Sequence, residues 1–260
     1  MYNEKDVTGD KNLFNKNTRT LLYRLKEKAT SKENNNGKQD LPEIGEKRLG
    51  MKKLYATGEE SLSTMKLYAM VQCDVVVFSG DNSIYVKLQC RGDSSTSKCR
   101  ACLDTAFSGV SRRCPNNKGR IIWYDNCVLT ILAFHTYGKI DYQNNFYISN
   151  AKDVSGDTNS FNEKTRALLY KLKEKASSKE NIPNKKNYLY ATGEESLGKM
   201  KLYAMVQCTQ DLSIKNCGVC LNWILAKFPK CCNGKLGGRF LSTSCNFRYE
   251  LYPFVQLTTI

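Results

Sequence analysis

The 260-residue chain has a single histidine, His135. That scarcity excludes a histidine-rich metal site, and any Ser-His or Cys-His catalysis would rest on this one residue. Long apolar runs are missing too. The longest, 127–134 with Thr130 as its one polar residue, is far short of the roughly 20 residues that a membrane-spanning helix needs. The opening Met1-Tyr2-Asn3-Glu4-Lys5-Asp6 alternates charges and has neither the basic segment nor the apolar stretch of a secretion signal. None of the 23 asparagines begins an Asn-x-Ser/Thr sequon, so N-glycosylation is not expected. Wholesale disorder is excluded, because 41% of residues are apolar and 25% charged, an ordinary globular mix.

Cysteine and positive charge are plentiful. Twelve Cys is well above cytosolic usage, and the even number suggests disulfide pairing in an oxidising compartment. The N-terminus disagrees, which leaves two readings: a cytosolic protein with free thiols, or a true start upstream of Met1. The second is preferred. Forty Lys+Arg against 25 Asp+Glu give a net charge of +15, divided as +4 over 1–73, +3 over 74–149 and +8 over 150–260. No single block carries the excess, so it reads as solvated lysines, and nucleic acid is not an expected partner. A wall polysaccharide or an anionic membrane surface would suit the same charge.

The chain is built from duplicated pieces. Residues 3–34 align without a gap to 150–181, with 23 of 32 positions identical. Residues 54–73 recur as 189–208 with two differences in 20 positions. A unit this long, present twice, means two tandem domains and not a solenoid. The first domain, 1–143, carries extra residues within 34–53 and an apolar insertion, 74–89, flanked by the near-duplicate ends Val71-Gln72-Cys73 and Leu88-Gln89-Cys90. Such an insertion must either replace a native strand or expose itself. The second domain, 146–257, is uninterrupted.

Within each copy, Phe14, Thr18, Leu21, Leu22, Leu25 and Ala29, and their counterparts from Phe161 to Ala176, recur at helical spacing. Asp157 or Asn159 could cap the second helix. Lys-Leu-Tyr-Ala-Met-Val-Gln-Cys alternates like a half-buried strand. Residues 217–228 carry an apolar helical face, and two strand-like runs follow at 238–242 and 246–254. Helices and strands mix without strict alternation, which favours an antiparallel α+β fold.

Cys90-x8-Cys99-x2-Cys102 and Cys208-x8-Cys217-x2-Cys220 share one spacing, each followed by further cysteines: Cys114 and Cys127 in the first copy, Cys231, Cys232 and Cys245 in the second. Four readings compete for them. Zinc could take four thiolates, but no second CxxC appears in either copy. A redox CxxC lacks a surrounding βαβ unit. A cysteine nucleophile would need His135 as its base. Structural disulfides suit small domains with modest cores.

These residues resemble tandem ginkbilobin-homologous (salt-stress-response/antifungal) domains, found in plant cysteine-rich repeat secretory proteins and in ectodomains of cysteine-rich receptor-like kinases. The second copy carries the resemblance best, in Phe146-Tyr-Ile-Ser-Asn150, Cys217-Gly-Val-Cys220, Cys231-Cys232-x-Gly, Gly237-Gly-Arg239 and Ser244-Cys245-Asn-Phe-Arg248-Tyr249-Glu250. The first adds Arg113-Cys114-Pro-Asn-Asn-Lys-Gly119 and Trp123-Tyr-Asp-Asn-Cys127. The resemblance implies two helices packed on a five-stranded antiparallel sheet in each domain. It also implies the bridges Cys90–Cys99, Cys102–Cys127, Cys208–Cys217 and Cys220–Cys245. A third family bridge needs an N-terminal Cys that neither copy has, so Cys114 and Cys231 or Cys232 lack the usual partner, and Cys73 is an extra. Secretion to the apoplast is implied as well.

The resemblance further suggests a mannose-type glycan site at Asn150, Arg239 and Glu250, since a guanidinium and a carboxylate can hold vicinal hydroxyls. The competing reading is a cross-strand Arg239–Glu250 ion pair. In the first copy Leu132 matches Glu250, so no sugar site is expected there. Arg91-Gly92-Asp93 is an adhesion tripeptide by letter only, and Trp123 and Trp223 are read as core. The expected protein is a non-enzymatic extracellular recognition module of plant stress or defence, with no catalytic residue, cofactor or metal, binding a glycan or a cell-surface partner protein. One alternative is a soluble remnant of a receptor-like kinase ectodomain. Another is a cytosolic zinc or redox protein.

Overall fold

The computed structural model describes the backbone of 45–49, 52–58, 70–74 and 84, and the whole of 85–114, 119–132, 135–178 and 189–256. The chain divides into two compact units, Met1–His135 and Thr136–Ile260. The helix expected at Phe14–Ala29 lies outside the described residues.

The first unit contains β1 (Gly45–Leu49), β2 (Lys52–Gly58), β3 (Met70–Asp74), β4 (Ile84–Cys90), helix α1 (Thr96–Arg113), β5 (Gly119–Trp123) and β6 (Cys127–Leu132). Its sheet has six strands in the order β1-β2-β4-β6-β5-β3, and β2 runs parallel to β4. Here the expected five antiparallel strands give way to six with one parallel pair. The cause is the insertion at 74–89, whose apolar end forms the central strand β4. Val86 and Leu88 of that strand are buried against α1, so residues 84–89, the described end of the insertion, lie within the sheet. Helix α1 places Cys99, Cys102, Leu103, Ala106 and Val110 on its buried face, and Arg112 and Arg113 sit favourably in its last turn.

The second unit runs β7 (Asn145–Ser149), α2 (Thr158–Ala176), β8 (Tyr190–Leu197), β9 (Met200–Cys208), α3 (Ile214–Leu225), α4 (Phe228–Cys232), β10 (Gly238–Ser242) and β11 (Cys245–Glu250). Its sheet has five strands, all antiparallel, ordered β7-β10-β11-β9-β8. Asp157 is the cap of α2, its carboxylate accepting from the amides of Asn159 and Ser160 at 2.9 and 3.0 Å. Phe161, Thr165, Leu168, Leu169, Leu172 and Ala176 form the buried stripe of that helix. The third helix starts at Ile214, ahead of the expected Cys217, because the Ser213 hydroxyl caps it through the Asn216 amide. It stops at Leu225, and Phe228 opens α4, which has Pro229 in its first turn.

The core lies between this sheet and its helices. Cys245, Phe247 and Tyr249 of β11 face it, as do Leu202, Ala204 and Val206 of β9. The alternate residues face the other way, and there Val255 packs on Tyr190 and Met205. The last strand ends at Glu250 and not at Phe254. Pro253 lacks a ladder donor, and 251–256 turns away to supply this second, smaller cluster.

Candidate functional site

The cysteine framework follows from two spacings. On α1, Cys99 and Cys102 stand three residues apart and share the buried face. On the sheet, Cys90 and Cys127 are direct register partners. The structure joins Cys90 to Cys99 and Cys102 to Cys127, with Cα atoms 5.7 and 6.0 Å apart. The second unit repeats the arrangement. Cys208 faces Cys245 on the sheet, and bridges Cys208–Cys217 and Cys220–Cys245 span 5.6 and 6.1 Å. All four distances lie within ordinary bridging range. Loop-closure entropy assigns about 3.5 kcal/mol to each bridge of separation 25 and about 2.6 kcal/mol to each of separation 9.

Cys231 and Cys232, one of which was expected to lack its usual partner, bond to each other. A bridge between neighbours closes no loop, so the entropic mechanism gives it almost nothing. Cys114 is also disulfide-bonded. The thiolates a zinc site would need are therefore engaged in bridges, and no group of three or more metal-ligating side chains occurs among the described residues.

Register decides how the proposed glycan residues meet. In β10, Gly238 faces Tyr249 of β11 and Ser149 of β7, so Gly237 stands next in line, level with Glu250 on one side and Asn150 on the other. The Asn150 amide donates to the Gly237 carbonyl at 2.8 Å. A Cβ on Gly237 would run into the Glu250 carboxylate. Arg239 faces Arg248 on β11 and Ile148 on β7. Asn150, Arg239 and Glu250 thus gather at one end of the sheet, spread over three adjacent chain segments.

The expected Arg239–Glu250 ion pair is not what forms. Glu250 is level with Gly237 and two residues along from Arg248, on the same strand face. Arg248 Nε donates to Glu250 Oε1 at 2.9 Å, with both side chains largely buried. The Arg248 guanidinium also donates to the Tyr252 hydroxyl at 2.8 Å and lies 4.3 Å from the Phe254 ring centroid. Glu250 is therefore engaged by Arg248 of its own strand, while Arg239 stands opposite Arg248 on the neighbouring strand. Asn150 is exposed, and its Oδ1 accepts from the Lys152 amide at 2.9 Å. Sequence reasoning missed Arg248, Tyr252 and Phe254. For Arg248 the alternation Arg248-x-Glu250 was the available signal, since i and i+2 share a strand face.

Behind this row, the Tyr249 hydroxyl lies 3.0 Å from the carbonyls of Cys232 and Lys235. Burial, with the nearby Glu250 charge adding to it, pushes this phenol well above its usual pKa. At the opposite end of the sheet, Asp141 is buried. Burial alone would raise its pKa, but hydrogen bonds from the Asn144 side chain, the Thr243 hydroxyl and the Asn144 and Gln143 amides outweigh that and hold it below the ordinary value.

The remaining sequence candidates resolve plainly. Arg91 and Asp93 pair with each other at 2.6 and 3.1 Å, so the adhesion tripeptide closes on itself. His135 is exposed and meets Tyr85 edge-on. Leu132, the counterpart of Glu250, is buried. Trp123 is core as expected, whereas Trp223 is only half-buried. No helix among the described residues is long and apolar enough to cross a membrane.

Comparison with known proteins agrees with this architecture. Cysteine-rich repeat secretory protein 23 of Arabidopsis thaliana is 84% identical over 187 residues, 72% of each chain. Cysteine-rich repeat secretory protein 29 of the same plant is 57% identical over 175 residues, covering 67% of this chain and 68% of that one. Among solved structures, the tandem DUF26 ectodomain of the Arabidopsis cysteine-rich receptor-like protein PDLP8 matches with a TM-score of 0.63. It covers 97% of this chain and 98% of its own, and the sequences are 18% identical, a likeness of fold alone. The salt stress response/antifungal family model matches residues 2–132 and 148–252. The match covers most of both copies, and the chain belongs to the salt stress response/antifungal family as a tandem pair of its domains.

Proposed function

We propose that the protein is a non-enzymatic extracellular recognition module of plant stress or defence, and that the second domain binds a mannose-type glycan at the Asn150–Arg239–Glu250 end of its sheet. The secretory relatives and the ectodomain neighbours support the extracellular setting. All the described cysteines are in bridges and the one histidine is exposed, which supports recognition over catalysis. The observation that carries the glycan reading is the row Asn150–Gly237–Glu250 with Arg239 beside it. An amide, a guanidinium and a carboxylate on neighbouring segments can hold vicinal hydroxyls through charge-assisted hydrogen bonds, each contributing about 1.5–3 kcal/mol.

The test is retention on immobilised mannose. Wild-type protein is expected to be retarded, Glu250→Gln and Asn150→Ala to elute in the void, and Leu132→Ala to behave as wild type. The glutamine variant keeps the side-chain shape, so Arg248 retains a neighbour. Equal retention of wild type and Glu250→Gln would remove this site from the glycan reading. The same row would then be read as a surface for a partner protein, since its carboxylate is already engaged by Arg248.

A further inference from the structure

The Cys231–Cys232 bridge has no part in the glycan reading, and it differs in kind from its neighbours. Both of its residues lie at the end of α4, so it ties no element to another. The other two bridges of the second unit each join α3 to a strand, Cys217 to Cys208 and Cys220 to Cys245. Whatever a bridge contributes to the fold is forfeited when it is cut, so the fold opposes its reduction by the same amount. The neighbouring pair closes no loop and has no such protection. The four framework bridges are guarded by the architecture, and this one is not.

Exposure within the second unit points to the same place. Cys231 is 5% exposed, whereas Cys208, Cys217, Cys220, Cys232 and Cys245 are at 0–1%. Pro229, Lys230 and Asn233 around it in the chain are exposed, and α4 is five residues long. A short surface helix opens locally at little cost. Cys90 of the first unit is 7% exposed, but its bridge to Cys99 ties β4 to α1. Its reduction carries the loop-closure cost that Cys231 escapes.

Cys232 is the buried half. A Cβ on Gly238 would lie 2.7 Å from its Sγ, so this sulfur is seated against β10. Its carbonyl accepts from the Tyr249 hydroxyl at 3.0 Å and from the Lys235 amide at 3.2 Å. None of these contacts needs the S–S bond, so Cys232 keeps its place when the bridge opens. A buried thiol is tolerated there as a small hydrophobe. Cys231, nearer the surface, is the sulfur left to turn outward.

We propose that Cys231–Cys232 is a reversible thiol-exchange site that takes a low-molecular-weight thiol on Cys231. The incoming thiolate attacks Cys231 Sγ, a new S–S bond forms there, and the Cys231–Cys232 bond breaks. Cys232 leaves with the electron pair and takes up a proton, so the incoming thiol is oxidised as the bridge is reduced. The reverse attack by Cys232 on Cys231 Sγ expels the thiol and restores the bridge.

The test incubates the full chain, made with its disulfides intact, with reduced glutathione, followed by acid quench and peptide mapping. One glutathionyl group should appear on Cys231, with 90–99, 102–127, 208–217 and 220–245 still linked. At exchange equilibrium this bridge should be open on the order of a hundredfold more often than any framework bridge, the equivalent of the loop-closure protection that it lacks. Cys232 should resist iodoacetamide until the protein is unfolded, and removal of glutathione should return the bridge. A Cys231→Ser, Cys232→Ser double variant should take no adduct and unfold cooperatively at a midpoint near that of wild type. Glu250→Gln should be modified like wild type, so failure of the mannose reading leaves this result untouched. First adducts on a framework cysteine, preference for Cys232 over Cys231, or a bridge that stays closed until the domain unfolds would each overturn the site. Loss of cooperative unfolding in the double variant would overturn it too, since the bridge would then be holding the fold.

Discussion

At the residue scale, a few side chains determine what their surroundings can tolerate. Asp141 is the clearest case, because its folded pKa is depressed by the hydrogen bonds that it accepts. Its contribution to stability is therefore complete above the unfolded carboxylate value of about 4 and is lost as pH falls through the lower folded value. Asp141→Asn should lower the denaturation midpoint at pH 7, and the gap from wild type should close as titration is carried down below about pH 4. A gap independent of pH would show that the charge is not what the network holds. Gly238 is a steric case. A Cβ there would lie 2.7 Å from Cys232 Sγ and 2.9 Å from the Tyr249 ring. Gly238→Ala should cost about 1–3 kcal/mol in denaturant titration, as overpacking does, whereas Gly198→Ala has open space around it and only its positive φ to overcome.

At the element scale, helices α1 and α3 are each stapled at two points to two neighbouring strands. The longer loop should matter more. Cys220→Ala with Cys245→Ala should lose about 3.5 kcal/mol against about 2.6 kcal/mol for Cys208→Ala with Cys217→Ala, before packing losses. Calorimetry of the two double variants checks the order. The same scale shows how context overrides local sequence. Tyr-Ala-Thr-Gly and Met-Val-Gln-Cys occur in both copies. In the second they belong to β8 and β9, joined as a hairpin. In the first they belong to β2 and β3, on opposite flanks of the sheet, because β4 occupies the central position between them.

For the whole molecule, the second unit has everything an independent domain needs: a sheet, two long helices, a continuous core and bridges that all close within it. Residues 136–260 expressed alone in an oxidising compartment should give a single cooperative unfolding transition. A non-cooperative melt with exposed apolar surface would show that it depends on the first unit. Peptide mapping of unreduced full-length protein should recover 90–99, 102–127, 208–217 and 220–245 as linked pairs, and free thiols at these positions would contradict the framework.

Much of this was legible without coordinates. The helical stripe from Phe161 to Ala176, the alternating strand before Cys208 and the α+β class follow from period and composition, because burial of one face imposes 3.6- or 2-residue spacing directly on the sequence. The duplicated cysteine spacing likewise marked where the two domains repeat. Long-range register was not legible. Which arginine meets Glu250 depends on how β10 slides along β11, and one residue of slip would have exchanged the faces. Whether 84–89 becomes a loop or a central strand, whether Cys231 finds Cys232, and whether Trp223 is covered depend on which neighbours compete for the same space. Those contacts join residues far apart in the chain, so tertiary packing alone decided them.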